Sequence, residues 1–324
     1  MKPEREGGIL IDAREGAPGR ATMNVRPLTK GEEAGAGELL RAAPVRNVML
    51  SSLLSEHGLD GARSRGRFYG CFRDGRLTGV ALLGHFAMFS CGEEEARAFA
   101  RVARREHADE VTVLLAGPRE AAAFREVLPA PGGLCGCLPE AEPNIMLTLT
   151  DAAAIPDCYE SGVRPATVFE TDEVARLHAQ CSLTLYGFDP MVDDPEGFGE
   201  RVRERVRERR VWVSRDESGV TFKTDLAAQT GGVLYLEGVM TRPDLLGAGV
   251  GTREFGGLCR KLLRGYDTLC LLVAEGNVRA HDFYRRIGFR EHSRHSIVRY
   301  HQRAVHHLAP AAPARAAAEG ALYG

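Results

Sequence analysis

Every second residue from 247 to 251 is glycine, and this glycine turn constrains the fold of the chain more than any other feature of its sequence. Residues 233–239 before it are mostly apolar, which predicts a buried strand, and Pro243 ends that strand because proline has no N–H for the sheet ladder. A helix is predicted from about residue 250 to residue 263. Its first N–H groups lack backbone partners and point back at the turn, where glycine leaves room for a ligand. This order predicts a site for an anion, best matched to phosphate.

The spacing of the glycines excludes two well-known phosphate motifs. No Gly-Lys-Ser/Thr follows them, so the turn is not a P-loop. A dinucleotide fingerprint needs a third glycine three places after the second, whereas these glycines are two apart. Spacing alone leaves two interpretations open: an anion-binding turn, and a strand-to-helix turn that uses glycine only for its backbone conformation.

A second informative segment, residues 270–289, is again predicted to be strand, loop, helix and strand. The apolar residues of its helix recur at core-facing spacing, at Ala280, Phe283 and Ile287. Asn277 stands near the helix start, where its amide can cap the helix or reach a ligand. Tyr284 follows two turns later on nearly the same face, and Gly288 ends the helix.

Together the two segments resemble the GNAT superfamily of acyl-CoA-dependent N-acetyltransferases, over roughly residues 164–300. The family loop (Arg/Gln)-x-x-Gly-x-(Gly/Ala), which binds the pyrophosphate of coenzyme A, corresponds to Leu246, Gly247, Ala248, Gly249, Val250 and Gly251, followed by Thr252. The downstream pattern N-x-x-A-x-x-(F/Y)-Y-x-x-x-G-F is matched by Asn277, Ala280, Phe283, Tyr284, Gly288 and Phe289. Leu246 departs from the family, which usually has Arg or Gln there, so that side chain's contact to phosphate is missing.

The resemblance implies an α/β protein in which a mixed, mostly antiparallel twisted sheet is flanked by helices. The predicted order of the first half, with a hairpin at Asp74-Gly75 and a helix at 93–106, parallels that of the second half. We therefore expect tandem GNAT-like domains, the first of them degenerate because residues 82–86 run on without a glycine cradle. The expected division is a disordered tail at 1–20, a degenerate domain at 21–150, an acetyltransferase domain at 151–303 and a disordered Ala/Pro-rich tail at 304–324.

The resemblance also implies roles for residues around the turn. The backbone of Val239, Met240 and Thr241 corresponds to the part of the family's strand that pairs with the pantetheine arm, and an N–H near Val239 faces the thioester oxygen. Tyr284 corresponds to the general acid that protonates the leaving thiolate; the alternative is a core tyrosine. The cofactor contacts would come from residues 246–252 together with Asn277, Ala280 and Phe283.

Glu237 is the candidate general base. It lies two residues before Val239, so in a regular strand both side chains point to one face. The alternative is a glutamate at the rim of the site, held in a salt bridge. Two other titratable candidates are His178, in an apolar helical stripe typical of a core histidine, and His281, which is expected to be exposed.

These observations predict an N-acetyltransferase that moves an acetyl group from acetyl-CoA to an amine by direct attack in a ternary complex. No cysteine lies at a reactive position of either motif, so no covalent intermediate is implied. The alternative is a non-catalytic acyl-CoA-binding sensor or scaffold module. The acceptor, a small-molecule or peptide amine, and the oligomeric state are left open.

Composition argues against several other classes of protein. The net charge of −2 gives no general attraction to nucleic acid or to anionic membrane, and the Arg-rich stretch 201–210 alternates with Glu as a solvated helix face does. No apolar run has the length of a membrane span, and no signal peptide is evident, so we expect a cytoplasmic protein with reduced cysteines. Cys135 and Cys137 are close in sequence but lack further ligands, so no metal is expected.

Overall fold

The computed structural model describes residues 9–10, 23–59, 61–129, 140–186 and 189–300. The tail predicted at 304–324, and Cys135 with Cys137, lie outside the described residues; of the tail predicted at 1–20, only a two-residue strand is described. The chain divides into two compact units. Among the described residues, unit 1 comprises those up to Asn144 together with 294–300, and unit 2 comprises residues 145–293.

The helices and strands alternate along the chain in an α/β order. Those that begin in unit 1 are β1 (Ile9–Leu10), β2 (Met23–Pro27), α1 (Glu33–Arg41), α2 (Val48–His57), α3 (Gly61–Ser64), β3 (Gly66–Arg73), β4 (Arg76–Gly84), β5 (Phe86–Ser90), α4 (Glu93–Glu106), β6 (Val113–Ala116), α5 (Pro118–Val127) and β7 (Ala141–Leu149). Those that begin in unit 2 are β8 (Arg164–Pro165), α6 (Thr171–Tyr186), α7 (Pro190–Asp193), α8 (Pro195–Arg207), β9 (Val211–Asp216), β10 (Gly219–Thr230), β11 (Val233–Thr241), α9 (Val250–Leu262), β12 (Thr268–Ala274), α10 (Val278–Ile287) and β13 (Arg290–Arg299).

Each unit has a mixed, mostly antiparallel sheet, which confirms the predicted fold class. In unit 1 the strand order runs from β1 through β6 in sequence and ends with the last part of β13, which pairs antiparallel with β6 through residues 296–299. Only β5 and β6 are parallel among the pairs described in that unit. In unit 2 the order is β7, β12, β11, β10, β9, β8, and β11 and β12 are parallel. In both units a helix connects the two parallel strands in sequence, α4 in unit 1 and α9 in unit 2, because parallel strands need a crossover connection.

The two units begin with the same seven-residue pattern, Arg-Pro-x-Thr-x-x-Glu, at residues 26–32 and 164–170. In the second copy both Arg164 guanidinium Nη atoms donate to the Glu170 carboxylate, at 2.9 and 2.7 Å, and the Thr167 N–H donates to the same carboxylate at 2.8 Å. The first copy makes the same contacts, and both threonines have φ −95° and ψ 161°. The repeated geometry supports the tandem arrangement.

Helices cover both faces of the sheet in unit 2. One apolar cluster joins α9 and α10 to β10, β11 and β12 and is rich in aromatic residues, among them Phe222, Phe255 and Phe283. A second cluster joins α6 and α8 to β9 and β11, and includes Met240. Each such buried side chain stabilises the fold by about 1.5–3 kcal/mol. The two clusters show that Leu234, Leu236 and Val239 of β11 lie on one face and Met240 on the other.

A glycine pair in the middle of α9 is explained by the segment that crosses it. Segment 154–162 runs over this helix, and a Cβ at Gly257 would lie 2.6 Å from the backbone nitrogen of Ser161, while one at Gly256 would lie 2.5 Å from a tyrosine ring of the segment. Arg260 donates to four backbone carbonyls of the segment, at 2.7 to 3.4 Å. The close approach offsets the roughly 0.5–1 kcal/mol that glycine costs inside a helix. The segment fixes the helix whose N-terminus carries the glycine turn.

Most predicted elements are present, with shifted ends. The hairpin at Asp74-Gly75 is confirmed, and the helix predicted at 93–106 has those bounds. One expectation for the first half is wrong: residues 82–86 do not run on, because the strand breaks between β4 and β5 at His85. The unit 1 counterpart of the glycine turn is therefore the junction of β5 and α4. No helix among the described residues has the length and apolarity needed to cross a membrane.

Candidate functional site

The glycine turn between β11 and α9 is open to solvent. Gly247 has φ +82° and Gly249 φ +75°, both in the left-handed region that favours glycine, and a Cβ at either position would meet open space. The N–H groups of Leu246 and Ala248 donate within the turn, to the carbonyls of Pro243 and Leu245 at 3.3 Å each. These two N–H groups, which belong to the segment predicted to bind an anion, are therefore already hydrogen-bonded within the turn. The first turn of α9 supplies the rest, since the initial N–H groups of a helix have no intrahelical partner.

The parallel strands beside this turn separate along their length. Only residues 233–235 of β11 pair with β12, through residues 268–270. From Leu236 to Thr241 the β11 backbone continues without a β12 partner, and the glycine turn follows directly. An extended chain can pair with such a free strand edge. The edge and the open turn together fit a ligand with an extended arm joined to a diphosphate, as in coenzyme A.

A β-bulge interrupts β11 at Gly238. Asp225 of β10 pairs with Glu237, and Lys223 of β10 pairs with Met240. One residue separates this pair of positions on β10, but two residues separate them on β11, so β11 has one extra residue. Gly238 has φ +57°. The expectation that the side chains of Glu237 and Val239 share a face is wrong, because the extra residue shifts the alternation.

Regular alternation after Leu234 and Leu236 puts Glu237 on the face of α6 and α8, and the bulge then puts Val239 on the other face. The Glu237 carboxylate lies 3.5 Å from the guanidinium of Arg205 in α8, with 36% of the side chain exposed. Val239 packs in the cluster of α9 and α10. Glu237 thus has a feature of each interpretation. It is part-exposed beside the bulge, as a general base has to be, and it is in an ion pair, as a glutamate at the rim would be.

Four charged side chains and a histidine meet on the face of α6 and α8. The Asp225 carboxylate lies 3.0 Å from the Lys223 ammonium and 3.2 Å from Arg205, which also reaches Glu237. Lys223 and Asp225 are 0% and 2% exposed. Burial, together with the nearby Lys223 and Arg205 cations, lowers the pKa of His178 to about 3, so its imidazole is neutral at neutral pH. An imidazole with so low a pKa is a weak base.

Helix α10 uses its matched residues chiefly for structure. The side-chain oxygen of Asn277 accepts the N–H of Ala280 at 3.0 Å, so this amide caps the helix. Ala280 and Phe283 are buried in the core. Gly288 ends the helix in the left-handed region, as expected.

Tyr284 is buried, with 3% of its surface exposed. Its ring contacts those of Phe255, Phe283 and Phe289, with centroids 5.0 to 5.8 Å apart. This packing is what a core tyrosine would have. The position of Tyr284 on the helix that follows the separated strands is what the general acid would have. The role of general acid stays a prediction.

One residue that sequence reasoning missed is Arg253. It lies in the first turn of α9, is about half exposed, and its guanidinium lies 3.3 Å from the carboxylate of the neighbouring Glu254. It is a cation two residues after the last glycine of the turn, in a segment where Leu246 replaces the usual Arg or Gln. His281 is not fully exposed, because its ring contacts the Ala274 carbonyl at 3.2 Å. In the described part of the chain, no group of three or more His, Cys, Asp or Glu side chains could hold a metal ion.

The counterpart of the turn in unit 1 has the opposite character. Helix α4 begins after Gly92 with three successive glutamates, Glu93, Glu94 and Glu95. Arg73 pairs with the second and third, at 2.8 and 3.0 Å. Carboxylates at a helix N-terminus interact favourably with its dipole and repel a phosphate. Unit 1 therefore lacks an anion site at this place.

Comparison with known proteins agrees with this geometry. The family model described as FR47-like protein matches residues 222–298, which run from β10 into β13. No curated protein matches the sequence. The matched residues include the separated strands, the glycine turn and α10.

Solved structures resemble most of the chain in fold. A GCN5-related N-acetyltransferase from Sphaerobacter thermophilus has a TM-score of 0.55 at 15% identity, over 85% of this chain and 94% of its own. A tandem GNAT protein from the clavulanic acid biosynthesis pathway has a TM-score of 0.52 at 16% identity, over 86% and 99%. A GNAT-family acetyltransferase from Colwellia psychrerythraea has a TM-score of 0.52 at 8% identity, over 86% and 99%. The chain has the GNAT fold in tandem, and the resemblance noted from the sequence is confirmed.

Proposed function

We propose that this protein is an N-acetyltransferase that uses acetyl-CoA and acts through unit 2. The observation that carries the proposal is the separation of β11 from β12 immediately before an open glycine turn at a helix N-terminus. Acetyl-CoA supplies a thioester-activated acetyl group when bound. Its diphosphate would lie on the turn formed by residues 246–252, and its pantetheine arm along Val239, Met240 and Thr241.

The bulge in β11 supports a role in activating the thioester. Gly238 and Val239 fall between the paired residues of the ladder with β10. In this proposal the N–H of Val239 faces the thioester oxygen, where a donor aimed at developing charge is worth about 3–4 kcal/mol. The acetyl group would lie next to Glu237.

Glu237 supports the removal of a proton from the acceptor amine. Its carboxylate is part-exposed and one residue from the bulge, so it can accept the proton directly or through a water molecule. Tyr284 would return a proton to the departing thiolate. The amine attacks directly in this scheme, and the chain supplies no covalent nucleophile.

A second candidate function is a non-catalytic acyl-CoA-binding module that senses the cofactor or binds a partner. Two observations favour it: Leu246 replaces the usual Arg or Gln, and Tyr284 is packed among three phenylalanine rings. A binding module needs the glycine turn and the free edge of β11, but it does not need Tyr284 as an acid or Glu237 as a base.

Release of free thiol from acetyl-CoA in the presence of a panel of amines tests the proposal. The panel should contain amino acids, polyamines, amino sugars and peptides, each assayed with and without the protein. Thiol release that requires a particular amine, with a matching acetylated product by mass spectrometry, supports the enzyme. Tight binding of acetyl-CoA without turnover across the panel supports the sensor. Failure to bind coenzyme A contradicts both.

A further inference from the structure

A lysine with no exposed surface lies under the bulge of β11. The Lys223 side chain is 0% exposed, and its ammonium lies 3.0 Å from the Asp225 carboxylate. It also donates to the backbone carbonyl of Gly238, at 3.3 Å. A buried ammonium carries a penalty of several kcal/mol unless charges and hydrogen bonds compensate it. A hydrophobic side chain would avoid that penalty, so the lysine calls for an explanation beyond packing.

We infer that Lys223 is a positioning residue for acyl transfer: by binding the carbonyl of Gly238, it aims and polarises the N–H of Val239. This inference rests on the proposed function, in which that N–H faces the thioester oxygen. Lys223 itself touches neither cofactor nor acceptor in this scheme.

The planarity of the peptide bond connects the two groups. The carbonyl of Gly238 and the N–H of Val239 belong to one trans peptide unit, so they point in opposite directions. When the ammonium fixes the carbonyl, the N–H is fixed as well, directed away from Lys223. The orientation of this donor is then set in part by a side chain of β10, at a residue of β11 that has no paired residue in the ladder.

The neighbouring peptide is held separately. The hydroxyl of Thr224 donates to the carbonyl of Glu237 at 3.2 Å, and Thr224 is fully buried. Two successive side chains of β10 therefore bind two successive carbonyls of the bulge. Gly238 is required for this arrangement, because a Cβ there would lie 2.9 Å from the Lys223 ammonium and its φ is positive.

The charge of Lys223 has an effect that a neutral donor would lack. A cation on the carbonyl oxygen polarises the amide and makes its N–H a stronger donor, as in any chain of hydrogen bonds at low dielectric. Asp225 balances that charge and is itself held by Arg205, at 3.2 Å. The Lys223 ammonium is thus in a buried ion pair beside the bulge.

The test compares Lys223→Met, which keeps the length of the side chain without its donor or charge, with Lys223→Gln, which keeps a neutral donor. The first readout is the carbonyl stretch of bound acetyl-CoA labelled with ¹³C in the acetyl group, measured by infrared difference spectroscopy. The second is calorimetric affinity for coenzyme A. The third is kcat and KM with whichever amine supports turnover. Lys261→Met is the matched control, because its ammonium also binds a backbone carbonyl, that of Ser161 at 2.5 Å.

We expect the wild-type protein to shift the carbonyl stretch to lower frequency, and Lys223→Met to lose most of that shift. Its kcat should fall about 10- to 100-fold, less than the 10²–10³ of a deleted oxyanion donor, with coenzyme A affinity within about 2-fold of wild type. Lys223→Gln should be intermediate, and Lys261→Met should match the wild type. If Lys223→Met does not fold, Lys223→Met with Asp225→Asn removes both charges and takes its place.

A folded Lys223→Met or double variant with an unchanged carbonyl stretch and unchanged kcat would overturn the inference and leave the proposed function intact. Wild-type protein that binds acetyl-CoA without any shift of the carbonyl stretch would also overturn it. No binding of acetyl-CoA by the wild type would instead contradict the proposed function.

Discussion

The Glu237 carboxylate lies 3.5 Å from the guanidinium of Arg205, while 36% of the Glu237 side chain and 41% of the Arg205 side chain stay exposed. This contact is on the face of α6 and α8, while the bulge at Gly238 turns Val239 to the opposite face. A carboxylate there is both held in place and reachable by an amine. The guanidinium of Arg205 also pairs with Asp225, so Glu237 shares this cation with a second carboxylate.

Replacing Glu237 with Gln should lower kcat by about 10²–10⁴, because the amide cannot accept the acceptor's proton. Affinity for coenzyme A should not change, since the glycine turn is untouched. The measurement is kcat and kcat/KM of both proteins over a range of pH. Glu204→Gln, at an exposed position on α8, is the control. A Glu237→Gln variant with the wild-type rate and profile would remove this residue from the mechanism.

Replacing Tyr284 with Phe should keep the ring packing and remove the hydroxyl. If the hydroxyl protonates the thiolate, kcat should fall by about 10² at unchanged affinity for coenzyme A. Tyr300→Phe is a matched control, because that hydroxyl is buried and makes no hydrogen bond in the described structure. Stopped-flow or steady-state thiol release would report the rate. Equal rates for Tyr284→Phe and wild type would assign Tyr284 to the core only.

Replacing Gly249 with Val should abolish coenzyme A binding. Its φ of +75° costs a β-branched residue about 1–3 kcal/mol, and the new side chain fills the space where the diphosphate would lie. Because the bound turn has to keep this conformation, the strain alone should raise Kd about 5- to 150-fold, and the side chain in the place of the diphosphate raises it further. Gly35→Ala, on the exposed side of α1 in unit 1, is the control and should bind as the wild type does. Calorimetry on the three proteins checks this, and equal affinities would argue that the turn is only structural.

Replacing Glu170 with Gln should remove part of the acid sensitivity of unit 2. Hydrogen bonds from Arg164 are the main cause that lowers the pKa of Glu170 from 4.5 to about 2. Because the folded pKa is the lower one, the ionised carboxylate contributes stability above pH 4.5 and loses it as pH falls toward 2. This contribution is at most about 3 kcal/mol.

Urea unfolding at pH 7, 4 and 3 measures this effect. The difference in stability between wild type and Glu170→Gln should be largest at pH 7 and should shrink at pH 3. Glu160→Gln, at an exposed position, should show no such pH dependence. A constant difference at all three values would show that the ion pair with Arg164 does not set the acid sensitivity.

The sequence alone predicts strand β11, the glycine turn and helices α9 and α10, because the signals for these elements are local. Glycine spacing, a proline stop and an asparagine cap each act within a few residues. The repeated Arg-Pro-x-Thr-x-x-Glu pattern was also visible at 26–32 and 164–170, but its meaning depends on Arg164 folding back onto Glu170, which a linear pattern does not state.

The features that spacing could not predict depend on contacts distant in sequence. Alternation placed Glu237 and Val239 on one face, and the bulge at Gly238 reversed that. The partners that hold the bulge, Lys223 and Thr224, are on another strand. The glycine pair in α9 is explained only by Ser161 and its neighbours, about a hundred residues earlier in the chain. Helix propensity alone disfavours such a pair.

The central claim is that coenzyme A binds at the glycine turn of unit 2 and not at its counterpart in unit 1. Glu93, Glu94 and Glu95 at the start of α4 repel a diphosphate, so one chain should bind one cofactor. Titration calorimetry of the full chain with acetyl-CoA tests this most directly. The account predicts saturable heat with one molecule bound per chain, lost in Gly249→Val. No heat from the wild-type chain, or heat that Gly249→Val leaves unchanged, would contradict it.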